Sequence, residues 1–337
     1  MKGSHWFKFL TVLFTFSACS HNSKEIDISE IKIDFKFSRF ENDLQRLNTA
    51  NAAETKQKLA VNYGQFFDRF NENIIQIGSS NQPGYELAIS SFLNDAAIST
   101  EYSDVQTEFA STEKLESDFE SALKHYHYYF PNKIVPHIAT FISGFNYPIA
   151  VTDSVLGVGL DMYLGKNYKY YKLMAIPNYQ VDFMSKHYIV VDAVRSWLQT
   201  EYEGMDVHKN LLSEMVFQGK LVYALDHLLP QEEDSVKLEF TAQQLQWVNS
   251  SEQSIWAYFI DKNLLYSTKA SENVKYINSA PFTIGMPKAS PGRVGVWLGY
   301  KIVSAYMERH KEITLAALME EKNAQKILND SHYKPRK

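Results

Sequence analysis

Residues 211–229, LLSEMVFQGKLVYALDHLL, constrain the fold more than any other stretch of the chain. Leu211, Met215, Val222, Leu225 and Leu229 recur at spacings of three, four and seven, which lays one apolar face along a long helix. Gly219 stands in the middle of it. A mid-helix glycine costs about 1 kcal/mol against alanine, so its presence predicts a second backbone approaching closely at that point. Glu214, Lys220 and Asp226 share the helix at intervals of six, so they spread around it and form no single charged stripe. A charge among them that faces inward needs a partner. Arg293, in a turn between Gly292 and Gly295, is placed to be that partner, locking turn to helix, or to grip a ligand carboxylate with both prongs of its guanidinium.

The rest of the chain reads as a mixture of elements. Residues 31–37 (IKIDFKF) alternate apolar and polar, the period of a half-buried strand. Residues 138–145, 154–164 and 274–284 are expected to be further strands, the second tightly packed because of its glycines. Helices are predicted over 55–77, 85–104, 112–129, 184–199, 211–229, 296–309 and 314–329, the last broken near Asn323. Such a pattern, mainly helical with a small sheet, is α+β. No linker or repeat interrupts residues 31–330, which are read as one domain with a tail at 331–337.

The amino end has a different character. Lys2 and Lys8 flank an apolar run, FLTVLFTF at 9–16, far short of the roughly 20 residues that span a bilayer. Ser17 and Ala18 then lead into Cys19, the chain's single cysteine. This resembles a bacterial lipobox, with Phe16 where leucine is usual, and implies cleavage after residue 18 and acylation of Cys19. Each buried methylene is worth about 0.8 kcal/mol, so several acyl chains would anchor the protein firmly. Residues 19–30 read as a polar tether. One cysteine permits neither an internal disulfide nor a thiolate metal site. The net charge of −5 becomes two units more negative without Lys2 and Lys8, which suits no nucleic-acid partner.

The chemistry-bearing motifs are mostly missing. None of the 10 histidines is followed by glutamate, so the His-Glu-x-x-His zinc signature does not occur. A metal would have to gather His187, Asp192 and Glu214 from separate places. His125, His127 and His137 lie among aromatics, the first two near a helix end before Pro131. No Gly-x-Ser-x-Gly elbow is present, and GVGLDMYLG at 157–165 lacks phosphate-loop spacing. No cofactor is expected. Tyrosines such as Tyr168, Tyr170 and Tyr171 read either as core caps or as a surface for sugars or proteins.

Five segments, GVGLDMYLG, VVDAVRSWL (190–198), EMVFQGKLVYALDHLLP (214–230), PGRVGVWLGYKIVSAYM (291–307, containing Trp297) and LNDSHYKP (328–335), occur in the order found in the GldB family. GldB proteins are gliding-motility lipoproteins of Bacteroidetes. The resemblance implies an envelope lipoprotein, on the outer membrane facing the periplasm, held by its lipid and working with gliding and type IX secretion proteins. The family distantly resembles zinc metallopeptidases, so a degenerate peptidase scaffold is implied, its motif helix falling at 186–197 without the motif. The expectation is a non-catalytic component acting through protein contacts, with Glu214, Lys220, Asp226, Arg293 and Trp297 as candidate cleft or structural residues. An atypical metal hydrolase, or a lipoprotein binding a peptide or glycan in an aromatic cleft, is the alternative.

Overall fold

The computed structural model describes residues 26–47, 52–204 and 209–335. Cys19, the signal and most of the tether lie outside them. In chain order the elements begin with β1 (Phe37–Arg39) and six helices: α1 (Phe40–Gln45), α2 (Ala52–Tyr63), α3 (Gln65–Arg69), α4 (Tyr85–Leu93), α5 (Ala96–Glu108) and α6 (Glu113–Tyr129). Then come β2 (His137–Phe141), β3 (Ile149–Val151), β4 (Val155–Gly159) and a 3₁₀ turn, Leu160–Tyr163. The remainder is helical: α7 (Lys169–Leu173), α8 (Asn178–Val181), α9 (Ile189–Tyr202), α10 (Leu211–Leu228), α11 (Asp234–Leu238), α12 (Ala242–Ser250), α13 (Glu252–Asp261), α14 (Ala270–Ile277), α15 (Val294–Arg309), α16 (Leu315–Glu320) and α17 (Ala324–Ser331). The fold is α+β, mainly helical.

Among the described residues the strands form one sheet in the order β1-β2-β4-β3, with β1, β2 and β4 parallel and β3 antiparallel. The side-chain period of two sorts its residues to opposite faces. Ile138, Leu156 and Val158 join the large core shared with α6, α9, α10 and α15, whereas Ala139, Phe141 and Val155 join Phe40, Phe66, Phe67 and Phe70 beneath the early helices. A sheet covered on both faces is apolar throughout, and β4 is buried along its whole length. Its glycines make room: a Cβ on Gly157 would press on the Phe66 and Phe141 rings.

Two expected strands differ. Residues 31–36 keep the alternation of burial but make no ladder, which begins at Phe37. The expected strand at 274–284 does not form: residues 270–277 are helical, because Asn273 and Tyr276, three apart, are the buried pair while Val274 faces solvent, and residues 278–284 pair with no strand among the described residues. Local chemistry set other boundaries, one as read and one not. Asn323 caps α17 through Lys326 N, ending the preceding segment where a break was expected. Asp95 caps α5 with bonds from Ala97 N and Ile98 N, splitting the predicted 85–104 helix.

Gly219 meets Gly299. A Cβ on Gly219 would overlap the backbone carbon of Gly299 and lie 2.5 Å from Tyr300 N, and one on Gly299 would overlap the Met215 carbonyl oxygen. Helices α10 and α15 therefore touch backbone to backbone. Neither contact can be relieved by a side-chain rotation, so Gly219→Ala or Gly299→Ala should lower the unfolding free energy by about 3 kcal/mol, the upper part of the overpacking range. Urea denaturation checks this. A gain of about 1 kcal/mol, the helix propensity of alanine over glycine, would show that the helices separate freely.

Candidate functional site

Asp192, predicted as a loose metal ligand, belongs to a knot of charge. It lies on α9, accepts a hydrogen bond from Tyr163 Oη at 3.0 Å and faces Arg195 at 3.5 Å. Arg195 also pairs with Glu239 and donates to the Lys237 carbonyl at 2.5 Å. Arg293 closes on the other oxygen of Glu239. Both ends of that pair, Glu239 and Arg293, hold left-handed backbone at φ 54° and 57°, a conformation that costs a non-glycine residue about 1 kcal/mol or more. Burial works to raise the Glu239 pKa, but the Arg293 and Arg195 charges outweigh it and hold the carboxyl well below its usual range. Burial and then the Glu239 charge push Asp192 up, against the pull of Arg195. The space beside Glu239 and Arg293 is about 30 Å³, room for a water and no metabolite.

The other predicted residues are dispersed. Arg293 pairs with Glu239, so neither Glu214 nor Asp226 is the carboxylate that was expected to meet it. Asp226 accepts from Lys237 Nζ and, at 2.8 Å, from Tyr300 Oη. Glu214 takes the Asn273 amide at 3.3 Å. Lys220 is buried and donates to the carbonyls of Met319 and Glu321 at 3.2 and 3.0 Å, capping the end of α16. Trp297 is buried in the core, its ring 5.9 Å from Lys301 Nζ. His187 faces Glu232 at 3.5 Å, so His187, Asp192 and Glu214 each have separate partners. His125 and His127 lie on α6 and His137 on β2, beside Asp34 at 3.9 Å. Among the described residues no three or more His, Cys, Asp or Glu converge in a way that could hold a metal.

A second site lies where the parallel strands end. β2 runs into Ile142, Ser143, Gly144 and Phe145, and β4 into Leu160 and Asp161. Asp161 is fully buried, and one of its oxygens accepts from Ser143 N (3.1 Å), Ser143 Oγ (3.0 Å) and Phe145 N (2.7 Å). Those bonds hold a tight turn with Gly144 at φ 71° and Phe145 at φ 61°. The other Asp161 oxygen, Oδ1, has no hydrogen-bond partner among the described residues. Burial lifts the Asp161 pKa to about 6 although the three donors pull it down.

This turn forms one wall of a cleft of about 860 Å³, whose other walls are residues 74–77, α4, α5 and α7. The crevice beyond the carboxyl ends of parallel strands is where α/β proteins place ligands. Glu101 of α5 lines it while only 5 % exposed, and its Oε2 has no partner. Burial, followed by the charges of Asp161, Asp95 and Asp104, raises the Glu101 pKa to about 8. Neither Glu101 nor Asp161 stood out in the sequence. Asp161 had one signal, an acid directly after a glycine-rich strand; Glu101 had a fainter one, the apolar Ile98 and Val105 three before and four after it on α5, while Asp161 and the rest of the cleft come from distant segments.

The comparisons with known proteins bear on the whole chain. Residues 21–335 match the family model of gliding motility protein GldB. The chain belongs to the GldB lipoprotein family. Neither a curated protein nor a solved structure matches it. The GldB match takes in both the charge knot and the cleft.

Two measurements test these sites. Arg293→Met leaves Glu239 short of one partner and should cost about 3 kcal/mol in chemical denaturation; adding Glu239→Gln should recover part of that, because the stranded carboxylate is removed. Glu101 tests the cleft. Its proton leaves the unfolded chain near 4.5 but the folded chain near 8, so between those values the native state binds more protons and stability falls as pH rises. The slope is at most about 1.4 kcal/mol per pH unit. Glu101→Gln removes it, so the variant should match the parent near pH 4 and melt higher at pH 8. Parallel melting curves across that window would show that Glu101 is ordinarily solvated.

Proposed function

We propose that this GldB chain is a lipid-anchored, non-catalytic component of the gliding apparatus, linked to type IX secretion and working through contacts with other envelope proteins. The anchor is the acylated Cys19, and the body sits on the outer membrane, facing the periplasm. No helix among the described residues is long and apolar enough to cross a membrane, which leaves the lipid as the attachment this reading relies on.

The observation that carries the reading is the partnering of the charges buried between α9, α10, α11 and α15. Glu239 lies between two guanidiniums, Asp192 between Tyr163 and Arg195, and Asp226 between Lys237 and Tyr300. Groups so engaged hold helices together, and a reaction that recruited them would first have to break those pairs. Residues 186–197, where the metallopeptidase likeness would set its motif helix, contribute Asp192 and Arg195 to this knot.

Complementation of a deletion strain tests the proposal. The parent gene should restore colony spreading; Cys19→Ala should not, with the protein still made but recovered in the soluble envelope fraction. Full spreading with Cys19→Ala would end the anchored reading. Elemental analysis decides the hydrolase alternative: one zinc per chain, lost on His187→Ala and Asp192→Ala, would establish a metal site.

A further inference from the structure

We propose that the cleft at the carboxyl edge of the sheet receives a lysine or arginine side chain presented by a partner protein, with Glu101 as the counter-ion and the apolar walls taking the flanking residues. This rests on the reading of the protein as a binding component.

Three observations point to a cation. Among the described residues no Lys, Arg or His lines the cleft, whereas Asp95 and Glu101 do. Glu101 is nine-tenths buried and its Oε2 lacks a partner, although a buried carboxyl in a purely structural role is normally satisfied. The groups that face it from each side are acidic or neutral: Asp161 after β4, Asp95 and Asp104 at the cap and on the body of α5, and Tyr168 before α7. Asp95 is occupied in capping and Asp104 accepts from Tyr168, which leaves Glu101 Oε2 and Asp161 Oδ1 as the open acceptors, and of these two residues it is Glu101 that lines the cleft. An arriving ammonium or guanidinium would meet a negative potential in a site of low polarity, where a charge-assisted hydrogen bond is strong. A phosphate or an acidic peptide would be repelled.

The remaining walls suit a peptide. Ile75, Ile98, Phe145, Tyr147, Tyr170 and Met174 give apolar and aromatic surface, and Met174 and Tyr147 are 56 % and 38 % exposed at the rim. About 860 Å³ accommodates one long basic side chain and its neighbours. Gln76 and Phe145, both lining residues, hold positive φ, the kind of backbone strain that gathers at binding sites.

Binding a cation requires the ionised carboxylate, so Glu101 releases its proton when the cleft fills. Affinity should therefore rise with pH up to about 8 and level off above it.

Calorimetric titration of the full mature chain tests this with two probes: acetyl-Phe-Lys-Phe-amide, and the same peptide with its lysine Nε-acetylated. The lysine peptide should bind at least tenfold tighter than the neutral one and tighten between pH 6 and pH 8. Glu101→Gln should lose that preference and its pH dependence while unfolding no earlier than the parent, which separates lost binding from lost folding. Equal affinity for both probes, a Glu101→Gln variant that binds like the parent, or no binding of either peptide would each overturn the proposal. The wider reading fails separately. Spreading restored by Cys19→Ala refutes the anchored component whatever the peptides do, whereas indifferent peptides with a non-spreading Cys19→Ala strain refute the cleft alone.

Discussion

Everything in the carboxyl-terminal half of this molecule is placed by the crossing of α10 over α15, where Gly219 and Gly299 bring two backbones together. At that separation Tyr300 Oη reaches Asp226 on α10, and Asp226 reaches Lys237 on α11. Two residues past Lys237 the chain turns through left-handed backbone at Glu239, which aims its carboxylate at Arg195 and Arg293. Arg293 in turn precedes α15, so the loop of contacts returns to the helix on which it began. A side chain at either glycine would push the helices apart and lengthen every polar link in that circuit. Dispersion and hydrogen bonds both decline steeply over such distances.

The knot around Glu239 is not to be read as a large reserve of stability. Desolvating two acids and two guanidiniums offsets much of their attraction, and a well-packed apolar replacement is often as stable. What the ions supply is direction. A leucine at position 239 could pack in several ways, whereas a carboxylate between two guanidiniums has one arrangement that satisfies all three, and this ties α9, α11 and α15 into a single register. The left-handed conformations at Glu239 and Arg293 persist because the pair over-determines them.

How much of this the sequence carried depends on the range of the interaction. The α10 helix and the close approach at Gly219 were legible because periodicity and a misplaced glycine are local signals. So was the tight packing of β4, whose glycines accept the Phe66 and Phe141 rings. Residues 270–277 misled because a short apolar alternation fits either period; the burial of Asn273, bonded to Glu214 and to the Ser267 carbonyl, settled it as helix. Arg293 was singled out as a group to meet an acid of the 211–229 helix or a ligand, but the acid it meets lies 54 positions earlier in a turn with no motif of its own. Glu101 was nearly invisible for the same reason. Its environment is assembled from α5, the end of β4 and the 143–147 turn, and the one local hint, Ile98 and Val105 on the same helical face, says nothing of the acids it meets from outside the helix.

The two acidic sites are opposites in their electrostatics, and that contrast separates structure from function. At Glu239 burial is answered by two cations, and the carboxyl is held ionised. At Glu101 burial is answered by three more acids, and the carboxyl is driven towards its neutral form. The first arrangement lowers the free energy of the folded state at neutral pH; the second raises it, because the unfolded chain would lose that proton freely. A fold has no use for such an acid as a strut, since glutamine would fill the same volume without the cost. The cost is understandable where the group must meet a charge from outside: pre-organised against its own protein, it gains on binding what it withholds from stability. Among the described residues the other buried carboxylates reach a cation or a hydroxyl, and the unanswered one in the wall of a strand-end cleft is where an external partner has something to add.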